Sequence, residues 1–291
     1  MHLITALFIS TRPRQWSKNF FFFAALLFSK NLLNVRMVIE SIAGFTVLCM
    51  ITGATYLFND IIDRKRDQLH PDKCHRPIAS GQLPVPLAIS AIASAVILGL
   101  GIAFRLEEDF FLVIMLYLAL QMVYSTFLKH LVILDVLAIT TGFVLRVLGG
   151  AVVISVEISS WLLICTFLFA LFLALCKRRH ELYLLKEGAE GHRKVLGEYS
   201  LPLLDQMISV TTASTVIAYT LYTLSDQTIE KFGTVHLVYT VPFVIYGIFR
   251  YLYLVHIRKQ GGSPEMMLLT DLPLIGTVVS WAITAAAIIY F

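Results

Sequence analysis

The stretch Asn59-Asp60-Ile61-Ile62-Asp63-Arg64-Lys65-Arg66-Asp67 decides how this chain is read. It closes a long apolar run that starts near residue 38. Carboxylates beside lipid are costly, so an acidic cluster in such a place is a functional-site hypothesis. On a helix, at about 100° per residue, Asn59, Asp60, Asp63 and Asp67 fall at about 0°, 100°, 40° and 80°. All four point into one quadrant, where the carboxylates repel one another unless a cation sits between them. Mg²⁺ takes oxygen ligands and is commonly shared between one or two carboxylates and substrate phosphates. It is the natural counter-charge. The plain alternative is a solvated helix end balanced by Arg64, Lys65 and Arg66. Asp60 and Asp63 precede those cations on the apolar side, which favours the metal ion.

Working outward, the 291 residues are 58% hydrophobic and 14% charged, with a mean hydropathy of +0.79. Soluble domains carry about 25% charged residues. An all-α, polytopic membrane protein is therefore expected, a single domain over 1–291 with no room for a soluble one. Arg12, Arg14 and Lys18 precede the apolar run Phe20 to Phe28, and no basic region precedes the first apolar residues. No cleavable signal peptide is expected. Nine membrane segments are predicted, at about 19–32, 38–62, 84–105, 109–127, 132–153, 158–183, 202–226, 235–255 and 269–290, the first of them short. With the N-terminus inside, seventeen Lys and Arg fall on the cytoplasmic side, against Lys30, Arg36, Arg105 and Lys231 on the other. This places the protein in the cell (inner) membrane with a cytoplasmic N-terminus and its charged clusters facing the cytoplasm. The net charge of +4 then marks a membrane face and excludes a nucleic-acid partner. Cys49, Cys74, Cys165 and Cys176 have no metal-ligand spacing and read as reduced packing residues.

Two long connections, 63–83 and 184–201, are expected on the charged side. The first carries His70, Lys73, His75, Arg76 and Ser80, donors suited to phosphate, with Pro71, Pro77 and Gly81 limiting its shapes. The second charged cluster, Lys177-Arg178-Arg179-His180-Glu181, ends the sixth segment. Lys177, Arg178 and Glu181 repeat the angular pattern of Asn59, Asp60 and Asp63 with cations in the first two places. Arg179 points elsewhere, toward lipid headgroups. An anion site and a simple positive-inside stop both fit this cluster. Asp135 and Arg146 share a face about 16 Å apart along the fifth segment, with Gly142 between them. Arg146 is expected to face the bundle interior, against either a carboxylate or a bound phosphate. Tyr124 and Lys129 lead into that helix. The N-terminal Arg12-Pro13-Arg14-Gln15-Trp16-Ser17-Lys18-Asn19 reads equally as an interface anchor or as part of a polyanion site.

Taken together, Asn59-Asp60-x-x-Asp63-x-x-x-Asp67 and His70-Pro71-x-Lys73-x-x-Arg76-Pro77-Ile78-Ala79-Ser80-Gly81 resemble the UbiA superfamily of intramembrane prenyltransferases. Within it, four stretches look most like the decaprenyl-phosphate phosphoribosyltransferase branch. They are Arg12 to Asn19, Tyr124-Ser125-x-x-Leu128-Lys129, Gly142-Phe143-Val144-Leu145-Arg146 and Lys177-Arg178-x-x-Glu181-Leu182. The resemblance implies nine transmembrane helices around a central cavity open to the cytoplasmic side. It implies Mg²⁺ held by Asn59, Asp60, Asp63 and Asp67, and catalytic roles for Asp60, Asp63, Lys177 and Arg178. Substrate contacts are implied for Arg14, Lys18, Asn59, Lys73, Arg76, Tyr124, Lys129, Arg146 and Glu181. The departure is at helix six, where ordinary members carry a second Asp-rich motif and this chain carries Lys177-Arg178-Arg179-His180-Glu181. One acidic and one basic cluster suit phosphoribosyl diphosphate, with its extra 5-phosphate, and a polyprenyl phosphate acceptor in membrane lipid. The implied reaction is Mg²⁺-dependent phosphoribosyl transfer between them in cell-envelope biosynthesis. Prenyl transfer to an aromatic or other acceptor is the alternative. A lipid-phosphate transporter is a further one, disfavoured by charges confined to one side.

Overall fold

The structure is a computed structural model describing residues 3–71, 73–186, 194–259, 261–262, 266–267 and 270–291. Among these the chain is mostly helical and has no strand. The α-helices are α1 Leu3–Ser10, α2 Ala24–Phe28, α3 Val35–Ile62, α4 Arg64–Asp67, α5 Val85–Leu106, α6 Glu108–Thr126, α7 Leu134–Val152, α8 Ser160–Lys186, α9 Leu201–Leu224, α10 Asp226–Phe232, α11 Val241–His256 and α12 Leu272–Tyr290. Among the described residues, eight helical stretches are long and apolar enough to cross a membrane: 35–62, 85–106, 108–126, 134–152, 160–184, 201–224, 236–256 and 272–290. The protein is a multi-pass membrane protein. Helix starts follow their local sequence. The side chains of Asn34, Ser200 and Asp271 accept from the amides of Met37, Leu203 and Leu274, and α5, α9, α11 and α12 carry proline in the first turn.

The chain resolves into two compact units, one of Met1–Ala138 with Leu145–Glu157, the other of Ile139–Val144 with Ile158–Phe291. In the first unit, α3 is the axis. Its 28 residues span about 42 Å. The core gathers Phe22, Leu26, Leu48, Ile51, Phe110 and Tyr117. A smaller core of Ala6, Leu57, Ile78, Leu83 and Ala88 lies against α1 and α5.

The first expected segment, 19–32, takes a different form. It is not among the eight long helices; Pro13–Phe23 is a 3₁₀ helix of 11 residues, and the five-residue α2 follows. Runs of 3₁₀ beyond 3–4 residues are uncommon, so tertiary contacts hold this one. With about three residues per turn, Trp16, Asn19 and Phe22 line up on one side, and Asn19 and Phe22 are buried. The segment runs antiparallel to α3. Thr11 lies against Gly53, Asn19 donates to Cys49 and Thr52, and Phe22 lies against Gly44. On its other side Gly150 of α7 admits the backbone: a Cβ there would sit 1.8 Å from the Phe22 carbonyl oxygen.

In the second unit α8 packs along α9, and α11 along α12. Phe172 meets Tyr251 edge-on at 5.4 Å between ring centres. The Trp281 indole donates to the Tyr219 hydroxyl, which also bonds Thr240. Arg250 grips both oxygens of Asp271 at 3.1 and 2.8 Å. That hydrogen bond holds the Asp271 carboxyl below the usual carboxylate range, as does the Leu274 amide, while burial works against both.

Gly150→Ala is expected to displace the 3₁₀ segment, because the clash is with backbone and no rotamer relieves it. The cost should be about 2–3 kcal/mol, read as a lower unfolding temperature in detergent. Gly101→Ala, whose added methyl meets nothing within 4 Å, is the control. Equal stability of the two variants would contradict this packing.

Candidate functional site

The acidic motif forms because α3 ends within it. Asp63 is the C-cap, yet its amide still bonds the Asn59 carbonyl at 2.9 Å and its carbonyl accepts from the Asp67 amide at 2.8 Å. The four side chains therefore stay near one another across the junction with α4. Among the described residues, no three carboxylate, imidazole or thiol groups gather as a metal-binding cluster.

The motif divides into two pairs, each bridged by a cation. Lys129 Nζ donates to Asp63 Oδ1 at 2.8 Å and lies 3.5 Å from Asn59 Oδ1. It stands on the 3₁₀ turn Leu128–His130 that follows α6, and it is buried. Arg76 Nη1 donates to Asp67 Oδ2 at 2.7 Å and to Asp60 Oδ1 at 3.1 Å. Arg12 Nη2 donates to the same Asp60 oxygen, and its guanidinium lies 4.8 Å from the centre of the Tyr56 ring. Asp60 and Asp67 are buried, whereas Asp63 keeps 24% of its side chain exposed.

The segment around Arg76 is pinned. Ile78 and Leu83 enter the small core, Gln68 Nε2 donates to the Ala79 carbonyl at 3.1 Å, and Gly81 turns the chain at φ 79. Arg12 is the N-cap of the 3₁₀ segment at φ 52, ψ 63. A left-handed conformation costs an L-residue about 1–2 kcal/mol, and the following Pro13 steers its neighbour toward extended backbone. From this conformation its side chain makes the ion pair with Asp60.

Of the other expected residues, Arg14 is exposed and Lys18 bonds Gln15 beside it on the 3₁₀ segment. Lys73 lies on the short 3₁₀ turn Lys73–His75, and its amide meets His70 Nδ1 at 3.4 Å. Tyr124 stands in the last turn of α6. Arg146 sits deeper, beside the middle of α3. Its Nε donates to Asn19 Oδ1 at 2.9 Å and its Nη2 to the Tyr117 hydroxyl at 2.8 Å, with the Tyr117 ring 5.0 Å away. Among its partners are an amide, a phenol and an aromatic face. Asp135, placed on the same face of α7 by its spacing, is fully buried.

In the second unit Arg178 is only 1% exposed and bonds Glu181 at 2.5 Å. Lys177 is partly exposed. Arg179 corrects its expectation. It turns to Asp205 of α9 at 2.5 Å, and His256 of α11 meets the same oxygen at 3.3 Å. Side chains from three helices meet there, so pairing outcompetes headgroup contact. The expected connection 184–201 begins late, because α8 continues through Lys186; residues 187–193 lie outside those described. The four cysteines are free thiols, as expected. Arg12 and Asn19 were read only as members of the basic N-terminal stretch, and Tyr117 was not singled out. The break Thr11-Arg12-Pro13 was the usable signal for the first. Asn19 and Tyr117 show only as polar residues inside apolar runs.

A model of the UbiA prenyltransferase family matches residues 19–270. The decaprenyl-phosphate phosphoribosyltransferase of Corynebacterium glutamicum is 32% identical over 285 residues, covering 96% of this chain and 85% of that protein. That of Mycolicibacterium smegmatis is 31% identical over 302 residues, covering 100% and 94%. Among solved structures, a UbiA homolog from Archaeoglobus fulgidus bound to GPP and Mg²⁺ aligns with a TM-score of 0.73 at 19% identity, over 98% of this chain and all of the other. The apo UbiA homolog from Aeropyrum pernix K1 aligns at 0.67 and 16%, over 98% of each. At those identities the structures speak for the fold, and the family match covers most of the helices and both charged clusters. On that footing, this chain belongs to the UbiA prenyltransferase family.

Proposed function

We propose that this protein transfers a 5-phosphoribosyl group from phosphoribosyl diphosphate to a polyprenyl phosphate of the decaprenyl type, releasing diphosphate. The observation that carries this reading is similarity, along nearly the whole chain, to decaprenyl-phosphate phosphoribosyltransferases. On this reading residues 1–291 act as one transmembrane domain in the inner membrane, with the N-terminus and the active site on the cytoplasmic side.

The acceptor phosphate is already ionised and needs no strong base. Its oxygen attacks the anomeric carbon as the bond from that carbon to diphosphate breaks. Positioning and charge neutralisation then supply most of the catalysis. The donor set fits a divalent ion: an amide and a partly exposed carboxylate, Asn59 and Asp63, share one cation, with Asp67 a turn away. Mg²⁺ usually keeps few protein ligands and completes its shell with phosphate and water. When bound, it would neutralise the leaving diphosphate. Lys129 stands beside the same oxygens and would meet that diphosphate. Arg76, Lys73, Lys18, Arg14 and Tyr124 are assigned further contacts to the anion. Lys177, with Arg178 held by Glu181, is assigned to a phosphate that carries no metal, since a basic cluster repels a second cation. Arg146 serves from deeper in the fold.

The prenyl tail needs an apolar surface. A groove of about 350 Å³ in the first unit is lined by Leu7, Phe8, Trp16, Met50, Leu57 and Ala95, among others. The groove residues of α3 lie on the side of that helix that leads to Asp60, which recommends it for the acceptor hydrocarbon.

Asp63→Asn keeps size and removes a ligand charge. Activity should fall at least about a hundredfold, about 2.7 kcal/mol in barrier, with unfolding temperature near the parent's. Near-normal turnover at saturating Mg²⁺ would sink the metal assignment.

Substrate class is tested with radiolabelled phosphoribosyl diphosphate and polyprenyl phosphate, followed by chromatography of the lipid extract. Label should enter the lipid only with Mg²⁺, and a ribosyl diphosphate lacking the 5-phosphate should be a much poorer donor. Label entering from prenyl diphosphate plus an aromatic acceptor, and none from phosphoribosyl diphosphate, would make the protein a prenyltransferase instead.

A further inference from the structure

We propose that Asp60, although it stands inside the acidic motif, is a positioning residue that holds Arg12 and Arg76, and that the divalent ion is carried without it by the side of the motif formed by Asn59 and Asp63. The inference rests on the site being a divalent-metal site, and it deepens that reading by dividing labour within the motif.

Four observations carry it. First, direction: at about 100° per residue, Asn59 and Asp63 straddle a line about 80° away from Asp60 on α3. Second, occupancy: two guanidinium groups, from Arg12 and Arg76, donate to the one oxygen Asp60 Oδ1. Arg76 also bonds Asp67, so the Asp60 side joins the N-terminal segment, α3, α4 and the 73–83 connection in a network of two cations and two carboxylates. Third, access: only 3% of the Asp60 side chain is exposed, against 24% for Asp63. Fourth, backbone: Arg12 holds a left-handed conformation directly before Pro13, which neighbours must over-determine to persist. A metal on Asp60 would have to displace both guanidiniums from a buried carboxylate and release that backbone. A metal on Asn59 and Asp63 has to displace only one lysine, from a carboxylate that solvent already reaches.

The function of such a residue is to present cations. Asp60 fixes where Arg12 and Arg76 stand at the rim of the motif, and so where an anionic substrate finds them. Removing it should act on substrate affinity first. Removing Asp63 should act on the metal.

The test uses the full-length protein in detergent, with Mn²⁺ as the probe, inorganic diphosphate present and bound ion followed by electron paramagnetic resonance. Asp63→Asn should weaken Mn²⁺ binding at least about tenfold, because ligand charge sets affinity. Asp60→Asn should change it by no more than about threefold, while KM for phosphoribosyl diphosphate rises about tenfold or more. If Asp60→Asn weakens Mn²⁺ binding as much as Asp63→Asn does, the assignment is overturned. Arg12→Met covers the case in which Asp60→Asn fails to fold. With Asp60 intact, Mn²⁺ affinity should stay at the parent value and KM should rise. A marked gain in Mn²⁺ affinity on freeing Asp60 from Arg12 would show the carboxylate to be a ligand and overturn the proposal. Parent protein that binds no Mn²⁺ overturns it too. A parent that binds Mn²⁺ and diphosphate but labels no lipid removes the proposed activity alone, and the division of the motif is then judged on the Mn²⁺ data.

Discussion

Three carboxylates at the end of a 28-residue apolar helix must be neutralised, and the local structure of the first unit follows from how that is done. The cations that do it come from far along the chain: Arg12 before the 3₁₀ segment, Arg76 after α4, Lys129 after α6. Each brings its own element to the end of α3. Removing one partner from such a buried pair costs more than the pair contributes when intact, so the charges bind these elements as a set. The site thus belongs to the fold before any substrate arrives.

The second constraint is the close approach of residues 11–28 to α3 and α7. Phe22 can lie against the backbone of α7 only because residue 150 is glycine, and the three-residue period of the 3₁₀ helix brings Asn19 to the same side. Asn19 spends its amide oxygen on Arg146 and its NH₂ on Cys49 and Thr52. A buried arginine in an apolar helix is expensive unless it is bonded, and here the bonding partner is also the clamp on the neighbouring segment. Arg146 therefore connects the polar middle of the first unit to the placement of Arg12, seven residues before the clamp at Asn19.

Much of this was readable in advance, for physical reasons. Segments of about 20 apolar residues have one stable outcome in lipid, so eight of the nine expected spans coincide with long helices. The α-helical phase of Asn59, Asp60 and Asp63 follows from the sequence, because the backbone bonds continue through Asp63. The division into two pairs was not legible, since it depends on which distant cation meets which oxygen. Arg12 was read as one cation of a basic stretch; a left-handed residue before proline cannot be inferred from propensity. Arg179 was assigned to headgroups because Asp205 and His256 lie 26 and 77 residues further on, and pairing across three helices leaves no periodic trace. The 3₁₀ form of the first segment was hidden for a related reason: Phe20 to Phe23 are apolar on every face, and only Asn19 marks the buried side.

The account turns on where the divalent ion sits relative to Asp60. An electron-microscopy structure of the full-length protein with Mg²⁺ and phosphoribosyl diphosphate measures that position directly. The account predicts the ion between the diphosphate and the Asn59–Asp63 side of the motif, with Lys129 moved off Asp63 and both Arg12 and Arg76 still on Asp60. An ion coordinated by Asp60, with the two guanidiniums displaced from it, would contradict the account.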